Sequence, residues 1–133
     1  MISTVVSRLS AALLLAAGVA LLFAADVVLP ALSSGLPASA AWLGQLLGAA
    51  WLGVAALNWL QRNALLGGIY GRPIVFANLV LYLVGALSLI GALRDPAASR
   101  GLWWIAVPAL LLGLVYGALL LRGPFDPLER AAR

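Results

Sequence analysis

The chain has 133 residues, enough for one domain, but 65% of them are hydrophobic and the mean hydropathy is +1.11, which leaves too little polar surface to face water. Eight arginines against four acids give a net charge of +4, with no Lys, His or Cys. That composition rules out disulfides and thiolate chemistry and weighs against a zinc, haem or iron–sulfur cofactor. The arginines sit beside apolar stretches, where they set membrane orientation, so nucleic acid is not an expected partner.

A spanning helix needs about 20 mostly apolar residues, and four windows qualify in chain order. The first covers residues 9–30. Arg8, the Leu/Ala run and "ASA" at residues 38–40 imitate a signal peptide. The apolar stretch, at roughly 20 residues, exceeds the ~7–15 of a signal h-region, so it is read as a retained span. After "PALSSGLPAS" the second span covers 40–60, and "QRNALLGGIYGR" leads to the third at 73–93. "RDPAASRG" precedes the fourth at 102–121, and the tail, 122–133, is too polar and short to fold alone. Each connection mixes Gly, Pro or Ser with charge or amide, as turns require. The expected fold class is all-α, an integral membrane antiparallel four-helix bundle forming one transmembrane domain over 1–133.

Arginine placement predicts orientation. With both termini inside, six arginines lie inside (Arg8, Arg62, Arg72, Arg122, Arg130 and Arg133) and two outside (Arg94 and Arg100). Cytoplasmic termini follow from the positive-inside bias. Trp42, Trp103 and Trp104 then fall at the outer interface and Trp59 at the inner one, while Trp51 lies mid-span.

Because lipid is as apolar as Leu, small and polar residues mark the packed faces. In span two, Gly44, Gly48, Trp51, Ala55, Asn58 and Arg62 step by four and three along one seam. Leu102, Ala106, Ala109, Gly113, Tyr116 and Leu120 do the same in span four, where Pro108 is expected to bend the helix. Asn78, Tyr82, Gly85 and Leu89 share a face in span three. In span one the expected seam is Ala12, Ala16, Val19, Phe23 and Asp26.

Three candidate sites emerge. Asn58, Asn78, Tyr82 and Tyr116 form an intramembrane polar cluster in the inner half of the bilayer, suited to interhelical hydrogen bonding or, alternatively, to a headgroup or solute vestibule. Asp26 is an isolated intramembrane acid, read as a proton or cation site paired with Gln45 or a carboxylate held neutral by burial, or more simply as an acid near enough to the interface to reach water. The hairpin offers Arg62, Gly67, Gly68, Gly71 and Arg72: glycines that let backbone amides face an anion, flanked by guanidinium groups that suit phosphate. The same "GGIYG" also serves an ordinary tight turn, and GxxxxGK[ST] is absent. No paired acids and no Ser–His–Asp or Cys–His set exist, so an enzyme is not expected.

The block "LNWLQRNALLGGIYGRPIVFANL" resembles one in small bacterial four-span membrane proteins of unassigned activity, most closely at Asn58–Trp59 and "GGIYGR". Size and span layout are similar to DoxX-like proteins. The resemblance implies a bacterial inner-membrane location and carries no activity. The leading expectation is a non-enzymatic, cofactor-free bundle that assembles with itself or a membrane-protein partner and binds lipid phosphate at its cytoplasmic hairpin. The alternative is a small-solute transporter or channel subunit with its path along the polar cluster.

Overall fold

A computed structural model describes residues 2–33, 37–62, 71–96 and 98–122. Four helices account for nearly all of them: α1 (Ile2–Leu32), α2 (Ala41–Leu60), α3 (Gly71–Ala92) and α4 (Trp103–Arg122). A short 3-10 turn precedes α2 at Ala38–Ala40 and another precedes α4 at Arg100–Leu102, the latter capped by Ser99 Oγ accepting from Gly101 N at 3.1 Å. All four helices are long and apolar enough to cross a membrane. The fold class is the expected one, and the chain is a multi-pass helical bundle.

α1 starts earlier than the predicted span, taking in Arg8 and the serines before and after it. Its backbone leaves helical geometry at Ala24 (φ −137°, ψ 28°), upstream of Pro30. Having no N–H, Pro30 leaves the Asp26 carbonyl without its helical donor. α4 runs unbroken through Pro108.

The bundle is built from two antiparallel helix pairs, α1 on α2 and α3 on α4, which meet each other along shorter contacts. In the first pair, backbone approaches backbone. A Cβ on Gly48 would lie 2.7 Å from the Gly18 carbonyl oxygen, and one on Gly18 would lie 2.9 Å from that of Gly48. Gly44 packs equally closely on Ala25. In the second pair a Cβ on Gly113 would lie 2.9 Å from Leu83 N, whereas Gly117 makes only ordinary contact with Leu79. Only a residue without a side chain fits such crossings, which is how helices associate where solvent supplies no hydrophobic drive.

Backbone pairing and apolar packing both help tie the pairs together. At one end, Ser99 N donates to the Leu32 carbonyl at 3.1 Å beside a Ser33–Ala98 bridge. Towards the other lies a core of Leu14, Ala55, Val75, Tyr82, Leu112, Tyr116 and Leu119. The outer faces carry large apolar groups such as Phe23 (79% exposed) and Leu121 (86%), as lipid contact allows.

The seams of α2 and α4 lie where the sequence places them. In α3 the buried row is Gly71, Val75, Asn78, Tyr82 and Ala86, so it ends on Ala86 rather than Gly85, whose Cβ would meet nothing. For α1 the expected face is wrong. Ala12, Ala16, Val19, Phe23 and Asp26 are all exposed, and the packed row is Ser7, Ala11, Leu14, Gly18, Leu21 and Ala25, with Ser10 alongside. Anchoring the seam on Asp26 turned it outward; the true row steps by four and three around Gly18.

Gly48→Ala should force the α1–α2 crossing apart and lower the melting temperature in detergent, an overpacking cost of about 1–3 kcal/mol. Gly53→Ala, where a Cβ meets nothing within 4 Å, should leave it unchanged or raise it. Equal melting temperatures for the two variants would show that the crossing is not tight.

Candidate functional site

The polar residues of α1, α2 and α3 converge on one buried cluster. α2 turns Asn58 inward because it stands on the same helical row as Gly44, Gly48 and Ala55. Asn78 occupies the matching place on α3, and both side chains are fully buried. The two amides pair reciprocally: Asn58 Nδ2 donates to Asn78 Oδ1 at 2.8 Å, and Asn78 Nδ2 donates to Asn58 Oδ1 at 2.7 Å. Their remaining N–H groups go to Ser10 Oγ (3.0 Å, from Asn58) and the Ile74 carbonyl (2.9 Å, from Asn78). Ser7 Oγ donates to the Asn58 carbonyl at 2.6 Å.

Ser10 and Tyr82 close the circuit. Their hydroxyl oxygens are 2.6 Å apart and either can donate. If Tyr82 donates, the Ser10 proton reaches Asn78 Oδ1 at 3.4 Å; if Ser10 donates, the Tyr82 proton turns to the Ser10 carbonyl at 3.5 Å. Every donor in this part of the cluster has a partner in both arrangements, which is what a low-dielectric interior demands.

Tyr116 joins by stacking rather than hydrogen bonding. Its ring lies 5.8 Å from that of Tyr82, with 12° between the planes. Its hydroxyl, though fully buried, has no hydrogen-bond partner among the described residues, and neither does Trp51 Nε1. The structure therefore brings together all four residues of the predicted cluster and adds Ser7 and Ser10. Ser7 lies on the α1 row that includes Gly18, and Ser10 lies beside it; a span that begins at Leu9 leaves Ser7 out.

The other candidates are arranged differently. Asp26 and Gln45 are both exposed and no hydrogen bond joins them, so the acid is not part of an internal site. At the hairpin, Arg62 folds back on α2: Nη1 donates to the Trp59 carbonyl at 2.6 Å, and the guanidinium carbon sits 4.6 Å from the Trp59 ring centroid. Arg72 is exposed at the start of α3, and Gly71, its first residue, is buried within the helix. Gly67 and Gly68, the centre of the expected anion nest, lie outside the described residues, as does the tail beyond Arg122.

No protein-family model, curated protein or solved structure matches this chain.

The chemistry available is that of amides, hydroxyls and guanidinium groups. The buried cluster contains no acid or amine to move a proton. Among the described residues no three His, Cys, Asp or Glu side chains gather to hold a metal. The cluster is a hydrogen-bonded lock; donors left uncommitted include the buried Tyr116 hydroxyl and Trp51 Nε1 and the guanidinium groups of half-buried Arg62 and exposed Arg72.

The lock makes a quantitative expectation. Asn58→Ala or Asn78→Ala alone strands the other amide, and each should cost about 1–3 kcal/mol of stability. The double variant should cost clearly less than the sum, read as melting temperatures in detergent through a double-mutant cycle. Additive losses would mean that the amides do not act as a pair.

Proposed function

We propose that this protein is a non-enzymatic component of the bacterial inner membrane, with both termini in the cytoplasm, which binds anionic lipid headgroups at its cytoplasmic end. It works by assembling with itself or with another membrane protein. The observation that carries the reading is Arg62 at the C-terminal end of α2. Its guanidinium lies over the Trp59 ring while its Nη1 is held by a backbone carbonyl. A stacked guanidinium retains donors in the plane of its fork, and those match phosphate oxygens. Arg72, exposed at the start of α3, supplies a second cation at the same end of the bundle. An interfacial Trp beneath an Arg is an arrangement suited to the headgroup level, where apolar and polar surroundings meet.

The transporter alternative draws less support. A solute path along Asn58, Asn78, Tyr82 and Tyr116 needs amide or hydroxyl groups free to replace solute hydration. Here the first three are consumed by one another and by Ser10, and only the buried Tyr116 hydroxyl keeps its capacity.

The test of the headgroup reading is retention of anionic lipid by purified protein. Arg62→Gln with Arg72→Gln should fold, yet lose most bound anionic lipid, and rising salt should weaken the parent's exposed share of the interaction. Undiminished retention by the folded double variant would remove the headgroup role. Orientation has its own test in this Cys-free chain. Ser34→Cys and Asn63→Cys should react with impermeant maleimide from opposite sides, Asn63→Cys from the cytoplasm; the reverse pattern would invert the topology.

A further inference from the structure

The hydrogen-bonded cluster faces inward, but the same two helices also shape a feature on their outer side. Between α1 and α2 runs an apolar groove of about 450 Å³, walled by Ala11, Ala12 and Leu15 on α1 and by Leu52, Ala55, Ala56 and Trp59 on α2. Four of its seven lining residues are alanines, so no long side chain occupies it from those positions.

Charge sits at one end of this groove only. On α1, Arg8 precedes Ala11, Ala12 and Leu15 by three, four and seven residues, so it continues the same wall. On α2 the wall ends in Trp59, over whose ring the Arg62 guanidinium lies at 4.6 Å. The Ser7–Asn58 hydrogen bond fixes the register, placing Arg8 level with Trp59 and one turn deeper than Arg62. Arg8 is exposed, has no ion-pair partner among the described residues, and lies in the first turns of α1. A free guanidinium at the end of an apolar helix is available to an anionic headgroup.

Resting on the headgroup reading above, we infer that this groove is a binding site for one anionic phospholipid, its phosphate held between Arg8 and Arg62 and one acyl chain laid along the alanines. The occupant is a lipid rather than a soluble anion because the cations open onto an apolar channel, not onto an aqueous pocket. Chain contact alone gives little preference, since bulk lipid also surrounds a chain with hydrocarbon. Selectivity therefore comes from the two guanidinium groups, as in basic pockets between membrane helices. The site uses Arg8, which plays no part in the hairpin, and does not use Arg72.

The test is titration of the full chain, delipidated in detergent, with dioleoyl phosphatidylglycerol or dioleoyl phosphatidylcholine, read by native mass spectrometry. One phosphatidylglycerol per chain should bind, with phosphatidylcholine, whose choline cation offsets the charge of the same phosphate, weaker by about tenfold. Ala12→Leu and Ala56→Leu fill the groove from opposite walls at exposed positions. Each should reduce phosphatidylglycerol binding by a similar factor at unchanged melting temperature. Arg8→Gln should erase the preference for the anionic lipid, and Arg100→Gln, exposed at the opposite end of the bundle, should not. Parent-like binding in both alanine variants, or equal binding of the two lipids, would overturn the site. If Arg72→Gln loses lipid while Arg8→Gln and both alanine variants keep it, headgroup binding belongs to the hairpin and the groove is not its site. A lipid-free dimer of the parent that Ala56→Leu dissociates would make the groove an interface between copies and also overturn the proposal.

Discussion

Two amide side chains facing one another in an apolar bundle have no water to fall back on, and the rest of this structure follows from how Asn58 and Asn78 resolve that. An unpaired amide in hydrocarbon costs several kcal/mol, whereas a formed interhelical hydrogen bond contributes only about 0.6 kcal/mol on average. The pair therefore adds modest stability but heavily penalises every other register of α2 against α3. Once Asn58 points inward, helical geometry turns its neighbour Trp59 outward by roughly 100°. In the same way Ser7, bonded to the Asn58 carbonyl, turns Arg8 away from the core. The inner lock thus dictates which groups the outer surface presents at that end of the bundle.

Where the amide pair sets register between the two helix pairs, glycine sets distance within them. Gly18 against Gly48 and Gly113 against Leu83 bring backbones into direct contact. A bilayer offers no reward for hiding a leucine from solvent, so close approach is worth more than bulk at a crossing. The same logic explains why so many large side chains, Trp104 among them at 85% exposed, lie on the outside without penalty.

The four spans and the seams of α2 and α4 were legible in the sequence because glycine, tryptophan and asparagine fell on unmistakable rows. So was the meeting of Asn58, Asn78, Tyr82 and Tyr116, since depth could be counted from the hairpin. The packed face of α1 was not. Its row is marked by Ser7, Ser10 and Gly18, residues quieter than a lone Asp26, and in a chain this apolar the loudest polar residue is not always an inward one. The groove was invisible for a related reason. Alanine at positions 11, 12, 55 and 56 reads as generic helix, and only the α1–α2 register places those four side chains opposite one another.

The division of hydrogen bonds between the helix pairs also bears on how the chain is made. Ser7 and Ser10 find partners on Asn58 without any contribution from α3, and the Gly18–Gly48 crossing is complete within the first two helices. A ribosome that has delivered α1 and α2 to the membrane has therefore already supplied the means to shelter most of their polar groups. Asn78 emerges next with its own helix carbonyl, Ile74, as a temporary companion. The polar core is staged along the sequence, so that no span must wait in lipid with its amide wholly unaccompanied for the last helix to arrive.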